Sequence, residues 1–185
     1  MTTSFAAIVH QELRAARDHL MAMIEPLTQE ELWRVPPRPD ATAITYHAGH
    51  IGFVEDMRMS QARGERMVGP EGYRTLFGVA NNSNPKAVFP RREEIFAYLT
   101  QVRARTLAVL DTLQLDTLPP QQRRAEAELL RGVINHEYAH TKYIRRLLGE
   151  IGRSTDFPIP SALVEVNPQA IAAPQYFIPR WPEIQ

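Results

Sequence analysis

The chain has 185 residues, 44% of them hydrophobic, and sets 21 Lys and Arg against 21 Asp and Glu for a formal net charge of zero. That length suits one domain, or one domain with an appendage, and is enough to bury a core. Zero net charge argues against a life on phosphate backbones or anionic membranes, and the lack of cysteine excludes a disulfide framework, a thiol nucleophile, an iron–sulfur cluster and a thiolate zinc site.

The N-terminus is briefly apolar, but His10, Gln11, Glu12 and Arg14 interrupt it at once. It lacks the basic start and the unbroken apolar run of a signal peptide, and no stretch approaches the ~20 apolar residues of a membrane span. A cytoplasmic protein with no membrane partner is the expectation.

Four segments carry helical periodicity. In the first, over about residues 3–27, Phe5, Val9, Leu13, Ala16, Leu20, Met23 and Leu27 fall on one stripe. A short turn at 29–33 precedes the break Pro36-Pro37-Arg38-Pro39. The second segment, about 41–63, presents Ile44, His47, Ile51, Val54, Met57 and Gln61 and stops at Gly64. Residues 64–90, rich in glycine, proline and asparagine, read as a long crossover, and connections of this length often serve function. The third helix follows Pro90, runs to Leu113 on Ile95, Leu99, Val102, Thr106 and Leu110, and is closed by Pro119-Pro120. The fourth covers about 121–151 on Ala125, Leu129, Val133, His136, His140, Ile144 and Leu147, with Gly152 as its C-terminal cap. The fold expected is all-α: a four-helix bundle over residues 1–152 with a long crossover between its second and third helices. Residues 153–185 hold six prolines among aromatic and aliphatic residues. They read as an extended arm that packs on the bundle or on a second subunit, which suggests a homodimer.

Four of the six histidines sit in two tight pairs. His136 and His140 are four apart, so they stack on one helix face, and that face belongs to the apolar stripe. Two neighbouring imidazoles in a core cost desolvation unless something bonds their nitrogens; a divalent metal does so, and bundles build metal sites from facing helices. Tyr46-His47-Ala48-Gly49-His50 on the second helix supplies a further pair. Periodicity leans towards His47, while Gly49 and Gly52 around His50 would let a neighbouring element come close. His10 and His19 read as partly exposed edge residues, and Trp33 and Trp181 as packing. His136-Glu137-Tyr138-Ala139-His140 also matches H-E-x-x-H, with Glu137 as would-be base of a zinc protease. The extended form of that motif needs a glycine at position 143 and a histidine at 146, where the chain has Tyr143 and Arg146. No sheet is evident to bind a peptide, so a protease is the weakest reading.

Tyr46-His47-Ala48-Gly49-His50-Ile51-Gly52 with Glu55-Asp56, and Asn135-His136-Glu137-Tyr138-Ala139-His140, resemble the second- and fourth-helix signatures of the DinB-like superfamily. Phe89-Pro90-Arg91-Arg92-Glu93-Glu94 through Leu113 is similar to the third helix in the N-terminal domain of ergothioneine-biosynthetic sulfoxide synthases. The likeness covers about residues 5–152. It implies a facial triad of metal ligands from one second-helix and two fourth-helix histidines, here His50, His136 and His140, and leaves His47 beside the metal. Three imidazoles suit zinc, nickel or iron(II) as the divalent ion. The resemblance further implies chemistry on a small molecule, with a low-molecular-weight thiol among the candidates and thiol transfer or hydrolysis as the reaction type. His47, Tyr46, Glu55 and Tyr143 are the polar groups near such a site that could act as acid or base. The alternative is a non-catalytic, metal-bound stress or interaction module. No nucleic-acid partner is expected on either reading.

Overall fold

A computed structural model of the chain describes residues 4–38, 41–78 and 88–157. The described residues are all-helical: α1 is Phe5–Ile24, α2 Gln29–Trp33, α3 Ile44–Arg63, α4 Tyr73–Phe77, α5 Arg92–Leu113 and α6 Pro120–Glu150. The boundaries follow local chemistry. The Ser4 hydroxyl accepts from the Ala7 N–H at the start of α1, and Thr28 and Glu31 form a reciprocal capping box on α2. Pro120 opens α6 in the first turn, where its missing N–H costs nothing. Gly64 and Gly152 take left-handed conformations, φ 65° and 79°, just past the ends of α3 and α6.

Side-chain pairings fix the directions of the four long helices. On α1 and α5, Phe5 pairs with Asp116 beyond the end of α5, Arg103 with the Leu13 carbonyl, Arg17 with the Leu99 carbonyl, and Arg92 with the Glu25 carbonyl, so these two run antiparallel. His47–His140, His50–His136 and Arg63–Glu126 set α3 antiparallel to α6. Gly52 against Tyr98, Glu55 against Arg103 and Ser60 against Arg105 set α3 parallel to α5. Two parallel helices that follow one another need a connection that returns along the bundle. The connection runs over residues 64–91; 79–87 of these, and so the full course of the expected crossover, lie outside the described residues. The buried Asp56 fastens its start, accepting from the Val68 and Gly69 N–H groups at 3.0 and 2.9 Å, from the Tyr98 hydroxyl at 3.2 Å and from Arg105 at 3.0 Å.

The stripe expected on α1 is the observed core: Val9, Leu13, Ala16, Leu20 and Met23 are all buried. α3 is buried nearly all round, because α2, α4, α5 and α6 all pack on it. On α6 the expected Val133, Ile144 and Leu147 are buried, but the rest of the stripe is displaced. Ala125 is exposed and Leu129 half-buried, while Ala127, Leu130, Ile134, Glu137, Tyr138 and Thr141 face the core. His136 and His140 are therefore half-buried on the edge turned to α3. His19 is buried rather than partly exposed, and Trp33 is half-exposed, donating its indole N–H to the Pro90 carbonyl at 3.3 Å. The proline-rich arm lies outside the described residues from 158 onward.

Each long helix also places one charge at the centre of the bundle: Arg17, Glu55, Arg103 and Glu137, all buried. Arg17 donates to Glu55 and Glu137 at 2.7 Å each, Arg103 donates twice to Glu55 at 2.9 Å, and Arg103 also reaches Glu137. Two positive and two negative charges alternate, so the group is neutral as a whole, which is the condition under which buried charge is tolerated.

Candidate metal centre

The antiparallel register of α3 and α6 brings the histidines together. His50, His136 and His140 have ring centroids 4.5 to 4.9 Å apart. One ring nitrogen from each lies within 4.8 Å of the others, and Nε2 of His50 is 3.2 Å from Nε2 of His136. Two imidazole nitrogens on one tetrahedral zinc, at ~2.0–2.1 Å from it, would be about 3.3 Å apart. The three-histidine group could therefore bind a metal ion.

The surroundings prepare these nitrogens as lone-pair donors. A carbonyl oxygen only accepts, so the 2.5 Å contact between His50 Nδ1 and the Phe77 carbonyl places the proton on Nδ1 and leaves the Nε2 lone pair free. Gly49 allows this contact: a Cβ there would come within 2.2 Å of the Phe77 ring, so only glycine lets α4 lie so close. His140 Nδ1 is 2.9 Å from His47 Nδ1, and His47 Nε2 is 2.6 Å from Thr42 Oγ1. The proton arrangement that a metal on His140 Nε2 requires also satisfies these contacts: His140 donates from Nδ1 to His47, and His47 donates from Nε2 to the Thr42 hydroxyl. Partners of this kind orient ligating imidazoles and raise their basicity.

Electrostatics favour the neutral form throughout. Burial, then the neighbouring His50 and the Arg58 charge, push His136 down to about 3. Burial and the other three imidazoles push His140 down to about 2, and burial, His50 and Arg38 push His47 down to about 4. Burial also lowers His50, against the raising effect of its bond to Phe77. All four rings are neutral at pH 7, the state a metal requires.

The other polar residues singled out from the sequence divide into three. Tyr46 stacks on His50 with centroids 5.6 Å apart and donates to the Gly78 carbonyl at 3.3 Å; burial raises its pKa, so it keeps its proton. Tyr143 is half-exposed and lies flat against His47, centroids 5.5 Å apart and planes 4° from parallel. Glu55 is not among the imidazoles at all. Burial would raise its pKa, but Arg103 and Arg17 outweigh that and hold it well below the usual carboxylate range. The Glu137 carboxylate is turned away from the imidazoles and paired with Arg17 and Arg103, which removes it from the role of protease base. Among the described residues no carboxylate joins the three histidines, and none forms a strand on which a peptide could add.

Sequence reasoning missed Thr42, Phe77 and the two core arginines. Arg17 and Arg103 had a visible signal, since each interrupts an apolar stripe, one turn after Leu13 and Leu99 respectively. Phe77 had none, because its carbonyl rather than its side chain holds His50.

A family model described as the DinB superfamily matches residues 12–144. No curated protein matches the chain.

Proposed function

The chain belongs to the DinB superfamily, and from that premise we propose that it is a metal-dependent enzyme acting on a small molecule, by thiol transfer or hydrolysis, with a zinc, nickel or iron(II) ion on His50, His136 and His140. The observation that carries this reading is the convergence of three neutral imidazoles with no carboxylate among the described residues to complete the set. Closed four-ligand sites are structural, whereas three protein ligands leave room for water or substrate. When bound, the ion supplies Lewis acidity to a carbonyl, a water or a thiol.

The chain's own residues hold that site in order. The Phe77 carbonyl orients His50, and the pair His47 and Thr42 orients His140. Tyr143, half-exposed above His47, is the aromatic surface a substrate meets on entry. A low-molecular-weight thiol heads the substrate classes on the strength of the superfamily resemblance; in a chain without cysteine, any sulfur chemistry would come from the substrate. The same reading takes the protein as a cytoplasmic homodimer; no helix among the described residues is long and apolar enough to cross a membrane.

The test is a panel of thiol conjugations and ester and amide hydrolyses run on protein loaded separately with zinc, nickel and iron(II). Activity with at least one metal, lost in His136→Ala and His140→Ala, is expected. Silence across the panel, together with a cobalt(II) spectrum unmoved by added thiol, would make the ion structural and the protein a binding module.

A further inference from the structure

Along the α3–α6 seam the two helices step in opposite register. On α3 the positions are His50, Val54 and Arg58; on α6 they are His140, His136 and Gly132. The His50–His136 pair is thus followed, further along the seam, by Arg58 facing Gly132, with Gly132 four residues, about 6 Å, from His136 along α6. The guanidinium fills the space a side chain would take at Gly132: a Cβ there would lie 2.7 Å from Arg58 Nη1.

Arg58 is half-buried, yet among the described residues it makes no ion pair and donates no hydrogen bond. Arg17, Arg63, Arg103 and Arg105 each hold a carboxylate, whereas the half-buried Arg131, like Arg58, holds none among the described residues; Arg58 differs in its place against Gly132 and in the effect of its charge on His136. The acidic residues nearest in sequence to the seam, Glu55 and Glu137, turn into the core and are held by Arg17 and Arg103. Asp56 is held by Arg105. The guanidinium is left without a counter-charge, and beside three neutral ligands of a dication it would add positive charge to positive charge. An anion from outside the chain would answer both.

We infer that Arg58, in the space opened by Gly132, is an anion-recognition subsite, and that the small molecule reaching the histidines carries a carboxylate. This rests on the proposed metal-dependent function for the location of the reacting end, but the binding of the carboxylate by Arg58 does not require a metal. Guanidinium and carboxylate match in shape and charge, and a bidentate pair fixes orientation as well as affinity. The bland alternative is an arginine whose stem merely covers apolar surface.

Two measurements on the full chain decide the matter. The first uses metal-free protein. The Arg58 Nε–H resonance, identified by its absence in Arg58→Gln, is followed during titration with 3-mercaptopropionate and with 2-mercaptoethanol. Movement with the acid alone, exceeding that of the exposed Arg124, is expected; no movement, or equal movement of both arginines, overturns the proposal. The second uses cobalt(II)-loaded protein and reads dissociation constants for the two thiols from the absorption spectrum. The acid should bind about tenfold tighter than the neutral thiol, in line with a charge-assisted hydrogen bond. That preference should vanish in Arg58→Gln and partly return in Arg58→Lys, with cobalt stoichiometry unchanged. A ratio indifferent to Arg58→Gln sinks the subsite and leaves the metal reading standing. Wild-type protein that takes up no cobalt sinks the metal reading, and the first measurement still judges Arg58.

Discussion

Glu137→Gln removes one negative charge from the centre of the bundle while nearly preserving volume. The native carboxylate is 1% exposed; it accepts from Arg17 Nε at 2.7 Å and also from Arg103. After the substitution Arg17 and Arg103 share Glu55 alone, and the core carries one uncompensated positive charge. Breaking a buried pair in this way costs about 3–5 kcal/mol, a large part of the roughly 5–15 kcal/mol that holds a domain together. With a urea dependence of about 2 kcal/mol per molar, the midpoint should fall by roughly 1.5–2.5 M. Metal-free protein unfolded in urea and followed by circular dichroism gives the number. Glu126→Gln serves as control: its pair with Arg63 keeps 18% side-chain exposure on both partners, and the loss there should stay under about 1 kcal/mol. Metal affinity of folded Glu137→Gln should change only a few-fold, because Glu137 bonds arginines and no imidazole. A variant as stable as the native protein to within about 1 kcal/mol, but devoid of activity, would refute this reasoning and return Glu137 to the role of catalytic base.

Acid should destabilise the metal-free protein in a defined window. His47, His136 and His140 are lowered to about 4, 3 and 2 in the folded state, with His50 lowered too, whereas unfolded chains take up these protons near 6.5. The unfolded state therefore binds more protons as pH drops below about 6.5, so stability is full above that value and is lost on acidification. Urea midpoints should be flat above pH 7 and fall steadily from 6.5 to 4.5, corresponding to uptake of about two or more protons on unfolding; a flat profile across that range would contradict the neutral cluster. His47→Ala removes the partner of His140 Nδ1 without removing a ligand. Chelator competition should show affinity reduced about 10–100-fold with stoichiometry unchanged, and complete loss of binding would make His47 itself a ligand.

Most of the architecture was readable because apolar periodicity is read one helix at a time, and α1, α5 and the short α2 depend on little else. α6 was readable in extent but only partly in rotation: Val133, Ile144 and Leu147 are buried as expected. Its apolar residues Ala125 and Leu129 suggested one face, while the bundle turned Glu137 inward to meet two arginines from α1 and α5. No single-helix pattern contains those partners. The same charge group explains why Glu55 looked like a site residue: it follows His50 closely in sequence, yet five residues on a helix turn its side chain well round towards Arg17 and Arg103. Conversely, Arg17 and Arg103, each one turn after a stripe leucine, were a legible signal of buried charge on α1 and α5. The support of His50 was not legible, since it comes from a backbone carbonyl on the five-residue α4, a helix too short and too closely flanked by glycine to show periodicity.

Equilibrium binding of cobalt(II) to the purified full chain, with metal content determined by mass spectrometry, tests the three-histidine centre most directly. One ion per chain is predicted, with ligand-field bands of a nitrogen-ligated, low-coordinate ion. His50→Ala, His136→Ala and His140→Ala should each weaken it at least a hundredfold, and the triple variant should hold none. A native protein that binds no ion, or a triple variant that binds as the native protein does, would contradict the account.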